Sequence, residues 1–188
     1  RRVGTGSLLL SAQSSQYVEV EPFTTGANGM SFSFWFRSSS TGNMGSLFDF
    51  GNGNGNDNIF FYINNNGIGL HTYNGNSNIQ QWEYTIVNVN DNVWRHITIT
   101  LNPNGEWRFY MDSALISTVA VGSGSFYPNA VQRSLNYIGK SNWAEGPYLN
   151  GAVDDFRYYN RVLSSSDVAD IYTNPFKSTI YPDISMYM

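Results

Sequence analysis

Alternation of apolar and polar residues is the most regular pattern of this chain. Between Ser31 and Arg37, Phe occupies every second position. The three Phe side chains therefore share one face of a predicted strand, because successive side chains of a strand point to opposite faces. The same period places Ile97, Ile99 and Leu101 on one inward face. About a dozen such segments, separated by turns rich in Gly, Asn, Ser and Pro, predict an all-β fold of two packed antiparallel sheets.

A change of period after residue 160 predicts one short helix near the C-terminal end. Ser164 is a suitable N-cap, and Asp167 follows three residues later as an acidic variant of the capping box. Leu163 and Val168 have the spacing of a hydrophobic staple. A helix with a single apolar stripe docks on a larger surface, and we expect that surface to be a sheet. The stripe consists of Val168, Ile171 and Tyr172.

Two consecutive carboxylates lie in the predicted strand before this helix. Strict alternation puts Asp154 on the same face as Phe156 and Tyr158, and Asp155 on the other face. A buried carboxylate needs a partner. We therefore expect Asp154 to be partly buried and to hold the terminal helix or to pair with Arg157 or Arg161, in preference to binding a metal ion. We expect Asp155 to be exposed.

The segment from Gly151 to Tyr172 resembles the closing strand and helix of laminin-G-like domains in the concanavalin A-like superfamily. It reads Gly-Ala-Val-Asp-Asp-Phe-Arg-Tyr-Tyr-Asn-Arg-Val-Leu-Ser, followed by the helix. The resemblance implies an antiparallel two-sheet jelly-roll sandwich over residues 7–174, with a linker at 1–6 and a tail or linker at 175–188. It also implies a carbohydrate or protein ligand at a loop edge. Further matches occur upstream in the family's order, at residues 6–10, 16–20, 32–36, 46–50, 93–100, 107–112 and 137–139.

The Asn- and Gly-rich stretch from Gly51 to Asn58 is a candidate calcium site. Calcium binds about six to eight oxygens from carboxylates, amide side chains and carbonyls. Asp57 and Asn58 are similar to an Asp-Asn pair that binds calcium in pentraxins of the same superfamily, which implies that both are ligands. Pentraxins complete their site with an acidic cluster, and in the corresponding residues 139–146 the only carboxylate is Glu145. The alternative is a long hairpin that uses Asn and Gly for its turns.

Aromatic residues in or beside the predicted loops are candidate sugar ligands. A flat ring can cover the C–H face of a sugar while neighbouring polar groups bind its hydroxyls. The predicted ligand-binding residues are Trp82, Tyr84, Trp143, Tyr148, Tyr73 and Asn76. Trp35 points away from the Phe face, so we expect it to line the concave sheet. For each ring the alternative is packing at a sheet edge.

The sequence lacks the patterns of the enzymes that share this fold. Glycosidases of the superfamily need two carboxylates that flank one bond, whereas the Glu residues here are scattered. His71 and His96 have no Ser or Cys nucleophile in a recognisable setting. His96 also falls in a Trp-x-His strand pattern, for which the resemblance implies a structural role. We therefore expect a protein that is not an enzyme.

Composition narrows the class of partner. Lys and Arg total 10 against 14 Asp and Glu, which gives a net charge of −4, and nucleic acid would favour a basic face. No run approaches the roughly 18 apolar residues of a membrane span. Low charge, frequent Asn and the absence of Cys fit an extracellular protein at a cell or virion surface. We predict a lectin-like module of a larger protein that binds glycan, with calcium as a candidate cofactor. The alternative is a structural or adhesion domain that binds protein.

Overall fold

In this computed structural model the described residues are 4–39, 44–64, 67–85, 89–119, 127–175, 182 and 184–186. The chain folds into two large antiparallel sheets and one short helix, which confirms the predicted jelly-roll sandwich. The strands are β1 (Leu8–Leu10), β2 (Val18–Val20), β3 (Phe23–Thr24), β4 (Met30–Ser38), β5 (Met44–Gly51), β6 (Ile59–Asn64), β7 (Gly67–Asn74), β8 (Ser77–Thr85), β9 (Arg95–Leu101), β10 (Trp107–Met111), β11 (Ala114–Val119), β12 (Gln132–Arg133), β13 (Leu135–Ile138), β14 (Gly151–Tyr159) and β15 (Ile184–Met186).

Strand order separates the two faces of the sandwich. The seven-stranded sheet has the order β1-β14-β4-β9-β10-β11, and β15 also pairs with β14. The six-stranded sheet has the order β2-β13-β5-β6-β7-β8, and β3 pairs with β12 as a small separate ribbon. Strands that are distant in sequence therefore become neighbours, and the loops between them gather at the sheet edges.

The core lies between the two large sheets and is rich in Phe. Phe32, Phe34 and Phe36 of β4 are at most 1% exposed, which confirms the face predicted from their spacing. Phe34 stacks on Phe156 with ring centroids 5.3 Å apart and meets Phe48 of the opposite sheet edge-on at 5.8 Å. Aromatic pairs of this kind stabilise a core by about 0.5–1.5 kcal/mol beyond the area that they bury. The Phe cluster therefore joins the two sheets face to face.

The predicted helix is present as α1 (Ser165–Thr173). The Asp167 N–H donates to Ser164 Oγ at 3.1 Å, and the Ser164 N–H donates to Asp167 Oδ2 at 3.0 Å. This reciprocal pair confirms the predicted capping box. The apolar stripe is also confirmed, because Val168 and Ile171 are buried in a separate cluster. The cluster is completed by Tyr110, Tyr159 and Leu163.

Trp35 lies beneath α1 and not on an open surface. Its ring stacks on Tyr172 of the helix, with centroids 5.4 Å apart, and lies 5.0 Å from the ring of His96. Trp35 is only 2% exposed. The expectation that Trp35 lines an accessible sheet was wrong, because the helix docks on that part of the seven-stranded sheet. His96 is buried with its Nε2 2.9 Å from Ser33 Oγ, as its predicted structural role requires.

A β-bulge in β14 buries both carboxylates and changes the face predicted for Asp154. The register between β14 and β4 shifts after Asp154, and Asp155 has a φ of 51°. Val153 therefore belongs to the core, and Asp154, its neighbour before the bulge, faces outward. Asp155 is 5% exposed and accepts a hydrogen bond from Arg157 Nε at 2.7 Å. Asp154 is 6% exposed, which confirms its predicted burial. The predicted core face of Asp154 and the predicted exposure of Asp155 were wrong, because one left-handed residue shifts the alternation of the strand.

Part of the predicted tail packs along the sandwich. β15 pairs with the edge of β14, with Ser185 opposite Arg157, and Arg157 Nη2 also donates to the Pro175 carbonyl. Several other predictions fall on residues outside the described ranges, namely 1–3 of the linker, 65–66 of a hairpin, 86–87 and 120–121 at predicted strand ends, 122–126 of a loop, and most of 176–188. Among the described residues, no helix has the length and apolarity needed to cross a membrane.

Candidate functional site

The loop between β13 and β14, residues 140–147, packs on the outer face of the six-stranded sheet. We refer to it as the Trp143 loop. The Trp143 ring lies 5.3 Å from Phe60 of β6 and 5.7 Å from Tyr73 of β7, measured between centroids. Within the loop, the Trp143 N–H donates to Ser141 Oγ at 3.2 Å, and the Gly146 N–H donates to the Trp143 carbonyl at 2.9 Å. These contacts fix the indole above the sheet.

A buried carboxylate anchors the Trp143 loop to the sheet below. Asp49 of β5 is fully buried; its Oδ2 accepts the Asn142 N–H at 2.7 Å, and its Oδ1 accepts the Asn58 amide at 2.8 Å. Burial raises the pKa of Asp49 to about 6, and the hydrogen bonds from Asn142 and Asn58 limit the rise. The position of the loop therefore depends on a group that titrates near neutral pH.

Two pockets flank Trp143, which lines both together with Ser141 and Gly146. The Tyr73 pocket has a volume of about 360 Å³ and is completed by Met44, Phe60, His71, Tyr73, Glu145 and Pro147. The Lys140 pocket has a volume of about 350 Å³ and is completed by Gly53, Leu135, Tyr137, Lys140, Asn142, Ala144 and Tyr148. An aromatic ridge between two concave surfaces is an arrangement that can hold a ligand longer than one sugar ring.

His71, which lines the Tyr73 pocket, belongs to a small group of polar side chains. The Tyr62 hydroxyl donates to Glu83 Oε1 at 2.6 Å and lies 3.2 Å from His71 Nε2. Burial lowers the pKa of His71, and the Glu83 carboxylate opposes that change. Burial and the bond to Glu83 both raise the pKa of Tyr62. His71 is therefore neutral at pH 7, and the pocket lining offers its imidazole and the Glu145 carboxylate as hydrogen-bonding groups.

The Lys140 pocket differs in charge. Lys140 Nζ lies 4.4 Å from the centroid of the Tyr17 ring and 4.3 Å from that of Tyr137. Tyr17 and Tyr137 meet edge-on at 5.4 Å, and Tyr17 lies 6.2 Å from Tyr148. The ammonium group is thus placed by aromatic faces, which attract cations.

The structure separates the six predicted ligand-binding residues into four places. Trp143 and Tyr73 share the Tyr73 pocket with Glu145, which had been predicted as a metal ligand, and Tyr148 lines the Lys140 pocket. Asn76 is exposed in the turn between β7 and β8 and lines neither pocket.

Trp82 and Tyr84 lie on the inner face of β8 and cannot form a platform with Trp143. The Trp82 ring stacks on Phe109 with centroids 3.6 Å apart, and its Nε1 donates to Ser117 Oγ at 3.2 Å. Tyr84 packs against the same core cluster. Both rings are half-buried, and their predicted part in a ligand platform does not agree with this packing, because both alternate with polar residues of β8 and face the core.

The three predicted calcium ligands do not form one site in this conformation. The Asp57 carboxylate accepts the Gly75 N–H at 2.7 Å, Asn58 is fully buried beside Asp49, and Glu145 is exposed in the Tyr73 pocket. Within the described ranges, no three His, Cys, Asp or Glu side chains are placed to hold a metal ion together. Since calcium requires about six to eight oxygens, this set of residues does not fit the ion.

Arg133 provides a cation at the same edge. Its guanidinium is fully buried, and Nε donates to the Asp57 carbonyl at 2.7 Å. Nη1 donates to Thr25 Oγ1 at 2.7 Å, and Nη2 donates to the Asn129 carbonyl at 3.2 Å. Burial lowers the pKa of Arg133 to about 10, so the group stays charged at pH 7. Arg133 therefore links the Gly51–Asn58 stretch to the segment before β12, because its guanidinium donates hydrogen bonds to oxygens of both.

Sequence reasoning missed several residues of the two pockets. Tyr137 alternates with the core residue Ile138 in β13, and this period alone indicates that it faces outward. His71 and Phe60 lie opposite each other on β7 and β6, a pairing that the sequence does not give. No pattern in the sequence indicated that Lys140 lines a pocket, because its neighbours there come from separate loops and strands.

Comparison with known families identifies the fold family of the chain. A laminin G family model, described as "Concanavalin A-like lectin/glucanases superfamily", matches residues 12–169. The chain belongs to this family. The comparison with curated protein sequences gave no match.

Solved structures similar to this laminin-G-like domain include botulinum neurotoxin binding domains. One is the binding domain of botulinum neurotoxin DC in complex with SialylT (19% identity, TM-score 0.59, 78% of this chain and 35% of that chain). Another is the same toxin's binding domain in complex with rat synaptotagmin II (19%, 0.60, 78% and 35%). A third comes from botulinum neurotoxin type C and is described by that toxin's dependence on interaction with two ganglioside molecules (17%, 0.60, 79% and 36%). The laminin-G-like domain thus spans about a third of these toxin chains, and at this identity the similarity concerns the fold.

Proposed function

We propose that this domain is a non-catalytic glycan-binding module of an extracellular or surface protein. Its binding site is the Trp143 ridge with the two pockets beside it. The observation that supports the proposal best is the fixed indole between two concave surfaces, with polar groups within reach on each side. Such a ring covers the C–H face of a sugar, while Glu145, His71 and Asn142 are placed to bind hydroxyls.

The comparisons support the same class of function. The family model carries the lectin name, and two of the similar neurotoxin structures are described with SialylT or gangliosides as ligands of those proteins. Another is a complex with a protein, synaptotagmin II. The alternative is therefore that the same surface binds a protein, and the first experiment must distinguish a protein ligand from a glycan.

A glycan array with the whole domain, in calcium and in EDTA, is the first test. We expect binding in both conditions, because Arg133 already bridges the loops that a calcium ion would have joined. Binding that disappears in EDTA would contradict the expectation that the domain binds glycan without calcium. An array without any signal would contradict glycan binding and leave the protein-binding alternative.

Replacement of the central ring tests the location of the site. Trp143→Ala is expected to lower glycan affinity roughly thirtyfold, the effect of about 2 kcal/mol that is typical of a central aromatic anchor. Trp94→Ala is the matched control, because Trp94 is also half-buried in a loop and stacks against Arg37, 5.3 Å from its ring centroid. Equal losses in the two variants, measured by calorimetry, would show that the ridge is not the site.

A further inference from the structure

Lys140 differs from the other cations of the described residues in its partners. Four arginines form ion pairs at 2.7–2.9 Å: Arg95, Arg108, Arg157 and Arg161. Arg37 donates to Asn92, and Arg133 is buried against carbonyls. In the part of the chain that the structure describes, Lys140 has ring contacts to Tyr17 and Tyr137 but no carboxylate within ion-pair distance. Its positive charge is therefore not neutralised by the fold.

The lining of the Lys140 pocket matches this unpaired charge. Among the residues that line it, Lys140 is the charged one, and no Asp or Glu is present. The pocket on the other side of Trp143 carries Glu145 instead. The ridge therefore separates a pocket that attracts anions from one that repels them, although the domain as a whole has a net charge of −4.

The backbone holds Lys140 in place. Gly139, the residue before it, has a φ of +84°, and a Cβ there would lie 2.3 Å from Leu10 Cδ1. The Gly139 N–H donates to the Leu47 carbonyl at 3.1 Å, and the Gly139 carbonyl accepts the Leu149 N–H at 2.9 Å. Two tyrosine rings then confine the side chain, so less conformational entropy remains to be lost when an anion binds.

We propose that the Lys140 pocket binds the anionic group of an acidic glycan, a carboxylate or a sulfate ester, whose apolar sugar face lies on Trp143. The inference rests on the proposed glycan function and specifies its ligand class. The ammonium group supplies a charge-assisted hydrogen bond, and Tyr148 and Asn142 border the remaining sugar surface. Glu145 keeps a second acidic sugar out of the neighbouring pocket, so we expect one acidic residue per bound segment.

Matched glycan pairs test the ligand class. The array carries each carboxylated glycan beside its counterpart without the acidic sugar, and each sulfated glycan beside its desulfated form. We expect the acidic member to bind about tenfold more tightly than its counterpart. That advantage should shrink as NaCl rises from about 50 to about 300 mM, because salt screens exposed charges. The carboxylated and sulfated pairs also show which of the two anionic groups is preferred.

Substitution of the cation tests the residue. Lys140→Met keeps the apolar stem between the two tyrosines and should abolish the advantage of the acidic glycan, whereas Lys140→Arg should retain it. The quantity compared is the ratio of acidic to neutral affinity within each variant, so a general loss of binding does not imitate the loss of the advantage. Arg108→Gln is the control for net charge, because Arg108 lies outside the pocket and its side chain is 51% exposed. It should leave the advantage unchanged.

The outcomes separate this inference from the proposed function. Glycan binding that Trp143→Ala removes, with equal affinity for acidic and neutral members, would overturn the anion pocket and retain the glycan module. An advantage for acidic glycans that survives Lys140→Met would also overturn it. An array on which neither member binds would overturn both proposals.

Discussion

Asp49→Asn should remove a pH dependence of stability that comes from one buried carboxyl group. Asp49 has a pKa of about 6 in the folded chain against 3.8 for the free side chain, and burial is the main cause. The folded state therefore holds a proton that the unfolded state has already released between about pH 4 and about pH 6. Since the free energy of unfolding falls wherever the folded state binds more protons, stability should decrease as the pH rises through this window. A difference of roughly two pKa units corresponds to about 3 kcal/mol.

Urea unfolding at intervals from about pH 3.5 to about pH 8 measures this effect. The wild type should lose up to about 3 kcal/mol through Asp49 between about pH 4 and about pH 6.5, and Asp49→Asn should lack that part of the slope. Burial also raises the pKa of Asp155 to about 6. Asp155 therefore keeps its own contribution to the pH dependence in the variant. At pH 7 the variant should be at least as stable as the wild type. The new amide can still accept the Asn142 N–H, and it can donate to Asn58 Oδ1 once the Asn58 amide rotates by about 180°, because Asn58 Nδ2 faces this position in the wild type.

An exposed carboxylate provides the control for this measurement. Glu19→Gln changes an exposed carboxylate of the same sheet and should leave the slope intact. Carboxylates with lowered pKa values, such as Asp91 at about 2, lose stability only below about pH 4 and so lie outside the window. A wild-type stability that is flat from about pH 4 to about pH 7, or a slope that Asp49→Asn does not change, would refute the reasoning from burial.

Two further substitutions test the loops that carry the site. Arg133→Gln should destabilise the domain by at least about 3 kcal/mol in urea unfolding, because several buried carbonyl and hydroxyl groups lose their donor. Arg133→Lys should recover only part of this loss, and a full rescue of either variant by added calcium would contradict the conclusion that the residues of this edge do not fit the ion. Gly146→Ala should lower glycan affinity by more than about tenfold, because a Cβ would lie 1.8 Å from Ser141 Oγ and 2.9 Å from the Trp143 carbonyl. Wild-type affinity in this variant, measured by calorimetry, would show that the Trp143 loop is not held as described.

The two-sheet sandwich could be predicted because the patterns that indicate its elements lie within single strands and turns. The Phe alternation of β4 and the Ser164 cap of α1 each arise from residues within one turn or one strand, and both are present in the structure. The faces of β14 were not predictable, because the left-handed Asp155 interrupts an alternation that looks uniform in the sequence. The inward direction of Trp82 was available from its alternation with polar neighbours, but its position beside loops suggested a ligand contact instead.

The candidate site was only partly predictable because its contacts are distant in sequence. Asp49 and Asn142 are 93 residues apart, and Arg133 and Asp57 are 76 apart. Trp143 and Tyr73 were predicted as ligand contacts from residue type and from their places in or beside loops, and Glu145 was predicted as a metal ligand from the resemblance to pentraxins. The pairing of β5, β6 and β7 then brings Phe60 and His71 into the pocket that Trp143 lines, which no local pattern of the sequence indicates.

The pairing of β1 and β15 with one edge of β14 has a consequence for how this polypeptide can be rewired. Both strands run antiparallel to β14, with Leu8 opposite Val153 and Met186 opposite Phe156. They are therefore collinear and follow one another head to tail, with a gap of about three β14 positions, or roughly 10 Å. A short peptide bridge from residue 186 to residue 8 would turn them into a single continuous edge strand. New chain ends could then be opened at a turn such as Asn102–Gly105. The domain therefore has the geometry that circular permutation requires.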